Sequence, residues 1–175
     1  GSNSGAARAY SGKTGAQLYE WTGDSQLDGF GVFVDDAGDM NNDGYTDSVV
    51  GAFQDDLISN NVGSTWVFSG KDGSELFHAY GDASGDELGV IVHGRRDIDH
   101  NGFPDVISGA YWNDLFGNNT GLTRIFTMCE ATVLEYGAGC AGSGGFVPHF
   151  GIHGCPTGNS TIELTLEDAF GGTSG

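Results

Sequence analysis

Two nine-residue stretches carry the sharpest chemistry in the chain. The first places Asp39, Asn41, Asp43 and Asp47 at its first, third, fifth and ninth positions, with Gly44 at the sixth. The second lies 58 residues further on and places Asp97, Asp99, Asn101 and Asp105 at the same positions, with Gly102 at the sixth. Alternate oxygen-bearing side chains let a loop wrap a hard cation. The glycine allows the sharp bend, and the backbone carbonyl of the seventh residue, Tyr45 or Phe103, supplies one more oxygen. All ten residues are therefore read as ligands of two Ca2+ ions. A single match has a plainer explanation as an Asx-rich turn; two matches in register argue for calcium. Without a cation the converging oxygens repel one another.

The loops are not EF-hands. Their twelfth positions hold Val50 and Ser108 rather than a bidentate glutamate, and strand-like runs flank them. Calcium sites in extracellular modules bind at about 10⁻⁴ to 10⁻³ M, which makes the ion structural rather than signalling. Mass action then ties folding stability to calcium concentration.

The elements that must position these loops follow from an internal repeat. Gly31-Val32-Phe33-Val34 aligns with Gly89-Val90-Ile91-Val92, and Val49-Val50-Gly51-Ala52 with Ile107-Ser108-Gly109-Ala110. Asp56, Asn60, Asn61 and Gly63 recur as Asp114, Asn118, Asn119 and Gly121. Tyr10-Ser11-Gly12-Lys13 anticipates Phe68-Ser69-Gly70-Lys71, so the chain enters mid-repeat. Each unit reads as four short strands: residues 30–34 or 88–92, then 48–53 or 106–111, then 64–69 or 122–127, then 75–80 or 132–136. The cation loop joins the first two, and a polar loop of about ten residues joins the next pair. A tight turn such as Lys71-Asp72-Gly73 precedes the last. No helical apolar period persists. The expected fold is all-β, built from β-propeller-like four-stranded antiparallel blades, two full repeats plus half-blades. Residues 6–137 hold the repeats, with 29–80 and 87–137 as main blades and 6–22 as a half-blade. Residues 138–175 form a glycine-rich β segment able to complete a blade.

Phe30-Gly31, the run from Gly38 to Asp47, and Gly51-Ala52-Phe53 resemble an FG-GAP repeat. That is the calcium-loop blade of integrin α-subunit β-propellers and of many bacterial secreted proteins. The second copy departs from the pattern at Leu88, Asp99 and Tyr111 without losing liganding capacity. The resemblance implies blades with calcium bound in the hairpin between their first two strands. Full propellers of that family usually have seven blades; this chain has two and two halves. Closure is therefore expected through association, as a homo-dimer or other homo-oligomer.

Composition narrows the partners. With 32 glycines, three prolines and 11% aromatic residues among 175, the chain is turn-rich, while 38% hydrophobic content is too high for disorder. A net charge of −18 makes nucleic acid and anionic lipid surfaces poor partners and suits divalent cations. No apolar run approaches the roughly 18 residues of a membrane span.

Other motifs weigh less. Residues 7–14 nearly spell a phosphate-binding loop, but Ala7 stands where its first glycine belongs, so a turn is the better reading. Cys140, His149, His153 and Cys155 fit either a zinc site or a Cys140–Cys155 disulfide, with Cys129 left over. Asp35, Asp36, Asp55, Asp56 and Asp114 read as solvated edges or groups behind the ligands. No catalytic constellation emerges, and His78, His93 and His100 have no nucleophile at a telling spacing. The expected role is a calcium-stabilised extracellular or cell-surface module for binding or scaffolding. Its partner would be a protein or a glycan, met through the loops near residues 55–61 and 113–119. The alternatives are part of a calcium-dependent polysaccharide-degrading enzyme, or of a larger adhesin.

Overall fold

A computed structural model of the chain describes residues 3–116 and 118–128 and the backbone of residues 149–153 and 163–167. The chain divides into two compact units, Gly1–Met128 and Cys129–Gly175. The described residues form eleven strands and turns, with no helix.

In the first unit, β1 (Ala6–Tyr10) and β2 (Gln17–Thr22) form an antiparallel pair. A four-stranded antiparallel sheet follows in simple meander order: β3 (Phe33–Gly38), β4 (Asp47–Ala52), β5 (Ser64–Phe68) and β6 (Glu75–Tyr80). The next copy contributes β7 (Ile91–Arg96), β8 (Asp105–Ala110) and β9 (Leu122–Phe126) in the same order. In the second unit, β10 (His149–His153) pairs antiparallel with β11 (Glu163–Glu167). The all-β, propeller-type blade architecture read from the sequence is the one found. The strand expected over residues 132–136, and Cys129, Cys140 and Cys155, lie outside the described residues.

The first strand of each copy differs at both ends. It begins at Phe33 or Ile91, three residues later than the sequence reading, and runs to Gly38 or Arg96, four residues further. Phe30 and Leu88 instead form single parallel bridges to Gly5 and Gly63 of the preceding copy, and both are buried. Gly31 (φ +83°) and Gly89 (φ +89°) then swing the chain into the new sheet. A Cβ on Gly89 would lie 2.1 Å from the Ser64 carbonyl oxygen, so this turn requires glycine. Large apolar residues here work as bolts between copies, not as strand residues.

β4 sits between two cores because successive strand residues face opposite ways. Val49 packs with Ala37, Met40, Val67, Phe77, Leu88, Val92 and Val106, joining the β3–β6 sheet to the β7–β9 sheet. Its neighbour Val50 packs with Ala7, Phe30, Ala52 and Phe68, joining the same sheet to the β1–β2 pair. Complete burial of each such valine stabilises the fold by about 1.5–3 kcal/mol. The sheets therefore stack face against face, and the hairpins at their ends inherit that rigidity.

Candidate metal centre

Both nine-residue stretches occupy the connection between the first two strands of a sheet. Residues 39–46 link β3 to β4, and residues 97–104 link β7 to β8. The ninth position opens the following strand, which buries Asp47 and Asp105 to 1% exposure each. Asn42 and His100, at the fourth positions, adopt left-handed backbone, as do Gly44 and Gly102 at the sixth. Those two reversals curl each loop over its own side chains.

In the first loop Asp39 accepts the backbone N–H groups of Asp43 (2.9 Å) and Gly44 (2.8 Å), one on each oxygen. Asn41 Oδ1 accepts the Asp43 N–H (3.2 Å), and Asp43 Oδ1 accepts the Tyr45 N–H (3.0 Å). Asp47 Oδ2 accepts the Met40 N–H at 2.8 Å, closing the loop on itself. Its Oδ1 accepts the Gly70 N–H at 3.0 Å, tying the loop to the β5–β6 turn.

The second loop repeats this wiring. Asp97 accepts from Asn101 (3.0 Å) and Gly102 (2.9 Å), Asp99 Oδ1 from Asn101 (3.1 Å), and Asn101 Oδ1 from Phe103 (2.8 Å). Asn101 Nδ2 also reaches the Met128 carbonyl at 2.8 Å. Asp105 Oδ2 accepts the Ile98 N–H at 2.6 Å, but its Oδ1 is buried with no hydrogen-bond partner. Oxygens of Asp97, Asp99 and Asp105 all lie within 4.8 Å of one another. In the first loop the matching trio is Asp39, Asn41 and Asp47, with an amide in place of one carboxylate.

Burial pushes the Asp47 carboxyl above the usual carboxylate range, and the charges of Asp43 and Asp39 add to this. The Gly70 and Met40 N–H groups oppose it. Burial likewise raises Asp105, helped by Asp99 and Asp97 and opposed by the Ile98 N–H. Every donor is oxygen, each carboxylate oxygen keeps a lone pair beyond its N–H contact, and one buried oxygen lacks any partner. That donor set fits a hard divalent ion such as calcium.

Asp55 departs from the sequence reading. It is no solvated edge but 2% exposed, and it gathers with Asp24 and Asp28 in a third acidic cluster. The missed signal lay in the repeat: Asp55 stands where the second copy has Asn113. Asp35 pairs with His93 and Asp36 with Arg95, so these two join β3 to β7. The phosphate-loop look-alike is the β1 strand and its turn, where the Gly15 N–H closes on the Ser11 carbonyl at 2.8 Å.

No family model matches the chain. It is 36% identical over 97 residues to Integrin alpha pat-2 of Caenorhabditis elegans, covering 51% of this chain and 8% of that protein. The Caenorhabditis briggsae protein of the same name is 37% identical over 101 residues, again 51% and 8%. Integrin alpha-3 of Cricetulus griseus is 29% identical over 89 residues, 46% of this chain and 8% of that protein. The chain thus spans under a tenth of the length of the curated relatives it matches. Among the described residues no helix is long and apolar enough to cross a membrane. These partial matches support an integrin-alpha-like repeat in this chain.

Proposed function

We propose that the chain is a calcium-stabilised extracellular binding module, with one ion held by Asp39, Asn41, Asp43, Tyr45 and Asp47. The second ion is held by Asp97, Asp99, Asn101, Phe103 and Asp105. The observation that carries this reading is the buried Asp105 Oδ1, without a partner, in a loop that converges three carboxylates. A buried anion with an unmet lone pair is expensive, and a divalent ion removes that cost. The ion clamps the first hairpin of each blade and holds the opposite ends of the strands still.

Those opposite ends present the partner surface. Leu57 and Ile58 are 56% and 60% exposed at the tip of the β4–β5 loop. Their repeat equivalents, Leu115 and Phe116, are 62% and 76% exposed at the tip of the β8–β9 loop. Tyr111 and Trp112 add a second exposed pair beside them, with ring centroids 4.5 Å apart. Apolar and aromatic tips on a rigid scaffold suit a protein or glycan ligand. The repeats occupy residues 6–137, and copies of the chain associate to close the ring, as a dimer in the simplest case. Sedimentation showing a monomer at all concentrations would reject it.

The direct test is thermal melting across a calcium titration. At about 5 mM calcium and the affinity range of such modules, two sites stabilise by about 2–4.5 kcal/mol. An unchanged melting temperature between chelator and calcium would remove the reading.

A further inference from the structure

Laid over one another 58 positions apart, the two copies differ at one place where charge is left uncompensated. In the second copy Asp82, Asp86, Asn113 and Arg124 form a closed set. Asn113 Nδ2 donates to Asp86 Oδ2 at 2.8 Å, an oxygen that also accepts the N–H groups of Asp82 (2.8 Å) and Ala83 (3.0 Å). Arg124 pairs with Asp82 through Nη2 and donates from Nη1 to the Tyr80 carbonyl at 2.9 Å. Two carboxylates thus face one guanidinium and one amide, leaving a net −1.

The first copy puts Asp24, Asp28, Asp55 and Trp66 at those four positions. The amide has become a third carboxylate, the guanidinium an uncharged indole, and the set carries −3. One oxygen from each of Asp24, Asp28 and Asp55 lies within 4.8 Å of the others. Asp28 is 1% exposed; its Oδ2 accepts the Ser25 N–H at 2.7 Å, while its Oδ1 is buried with no hydrogen-bond partner. Asp55 is held in place by the Leu57 N–H (2.9 Å) and the Ser64 hydroxyl (2.5 Å), and Trp66 Nε1 donates to that same hydroxyl at 2.6 Å. All three carboxylates line a cavity of about 210 Å³, walled by Trp21, Trp66 and Phe68.

We propose that Asp24, Asp28 and Asp55 bind a divalent cation at a third site, separate from the two hairpin loops. The donors are oxygens only, two of the three residues are fixed by burial, and Asp24 stands at the solvent side as the entry ligand. The cavity leaves room for the waters that complete the shell of a hard ion. A divalent ion brings the set from −3 to −1, the balance its sister set reaches with Arg124. A single guanidinium or ammonium would leave −2.

The site has its own readout, because Trp21 and Trp66 line it. Terbium, which replaces calcium in oxygen sites, should emit on tryptophan-selective excitation of the full chain, and calcium should quench that signal by competition. Asp55→Asn, which copies Asn113, should weaken terbium binding at least about tenfold. Trp66→Arg, which copies Arg124, should abolish the emission. Asp97→Asn, in the hairpin loop, should leave the signal in place. The calcium-dependent melting of Asp55→Asn then reports the loops alone, so failure of either kind of site is read separately. Emission unchanged in Asp55→Asn, or lost in Asp97→Asn, would overturn the proposal. So would thermal stabilisation by guanidinium or butylammonium ions without terbium emission, an outcome that assigns the trio to an organic cation.

Discussion

Asp105→Asn should change the sign of its effect with the medium. In calcium the substitution removes a ligand charge and the loop's own buried oxygen that lacks a partner, so it should cost that loop its ion. One site at about 5 mM calcium contributes about 1–2 kcal/mol, or roughly 2–9 °C of melting temperature for a chain of this size. In chelator the loop holds three carboxylates within 4.8 Å and no cation. There the asparagine carbonyl can keep the Ile98 N–H bond, now 2.6 Å long. Its amide then offers a donor to Asp97 and Asp99 where Asp105 offered only another acceptor. One such hydrogen bond adds about 1 kcal/mol, before any gain from relieved repulsion. The variant should therefore melt below the wild type in calcium and level with it, or above it, in chelator. Calorimetry in the two buffers measures both differences. Destabilisation of equal size in both media would refute the reasoning, because Asp105 would then be only a turn residue whose charge the fold needs.

Two further outcomes follow from the same geometry. The raised Asp47 and Asp105 carboxyls favour the metal-free fold below the ordinary carboxylate range, and that contribution is lost as pH rises through their folded-state values. Calcium needs the ionised forms, so the melting-temperature gain on adding calcium should grow with pH across the same window. A gain constant from acid to neutral pH would contradict this. Gly51→Ala should destabilise by about 2–3 kcal/mol in urea unfolding, because its Cβ would sit 2.1 Å from the Gly89 carbonyl oxygen of the next copy. A loss below about 0.5 kcal/mol would show that the sheets part easily there.

Much of this was legible in the residues. Alternating oxygens with a glycine at the sixth position fix a curled loop, because the constraint is local: Asn42 and Gly44, or His100 and Gly102, supply the two backbone reversals within a few residues. The 58-residue step likewise marks which segments must be equivalent strands. Phe30 and Leu88 misled because an apolar residue beside a strand-like run looks the same whether it continues the strand or bolts two copies together. Only the parallel bridges to Gly5 and Gly63 separate those cases.

The sequence by itself determined the local chemistry: two oxygen-rich hairpin loops, the antiparallel strand order around them, and an acidic surface. Tertiary structure decided which carboxylates are buried. Asp47 and Asp105 sink because they open central strands, and Asp55 sinks because the strands around it close over Asp28 and Ser64. Burial depends on what stacks across a sheet face, and those neighbours lie tens of residues away in the chain. The cost of an unpaired charge arises only when that stacking removes the water.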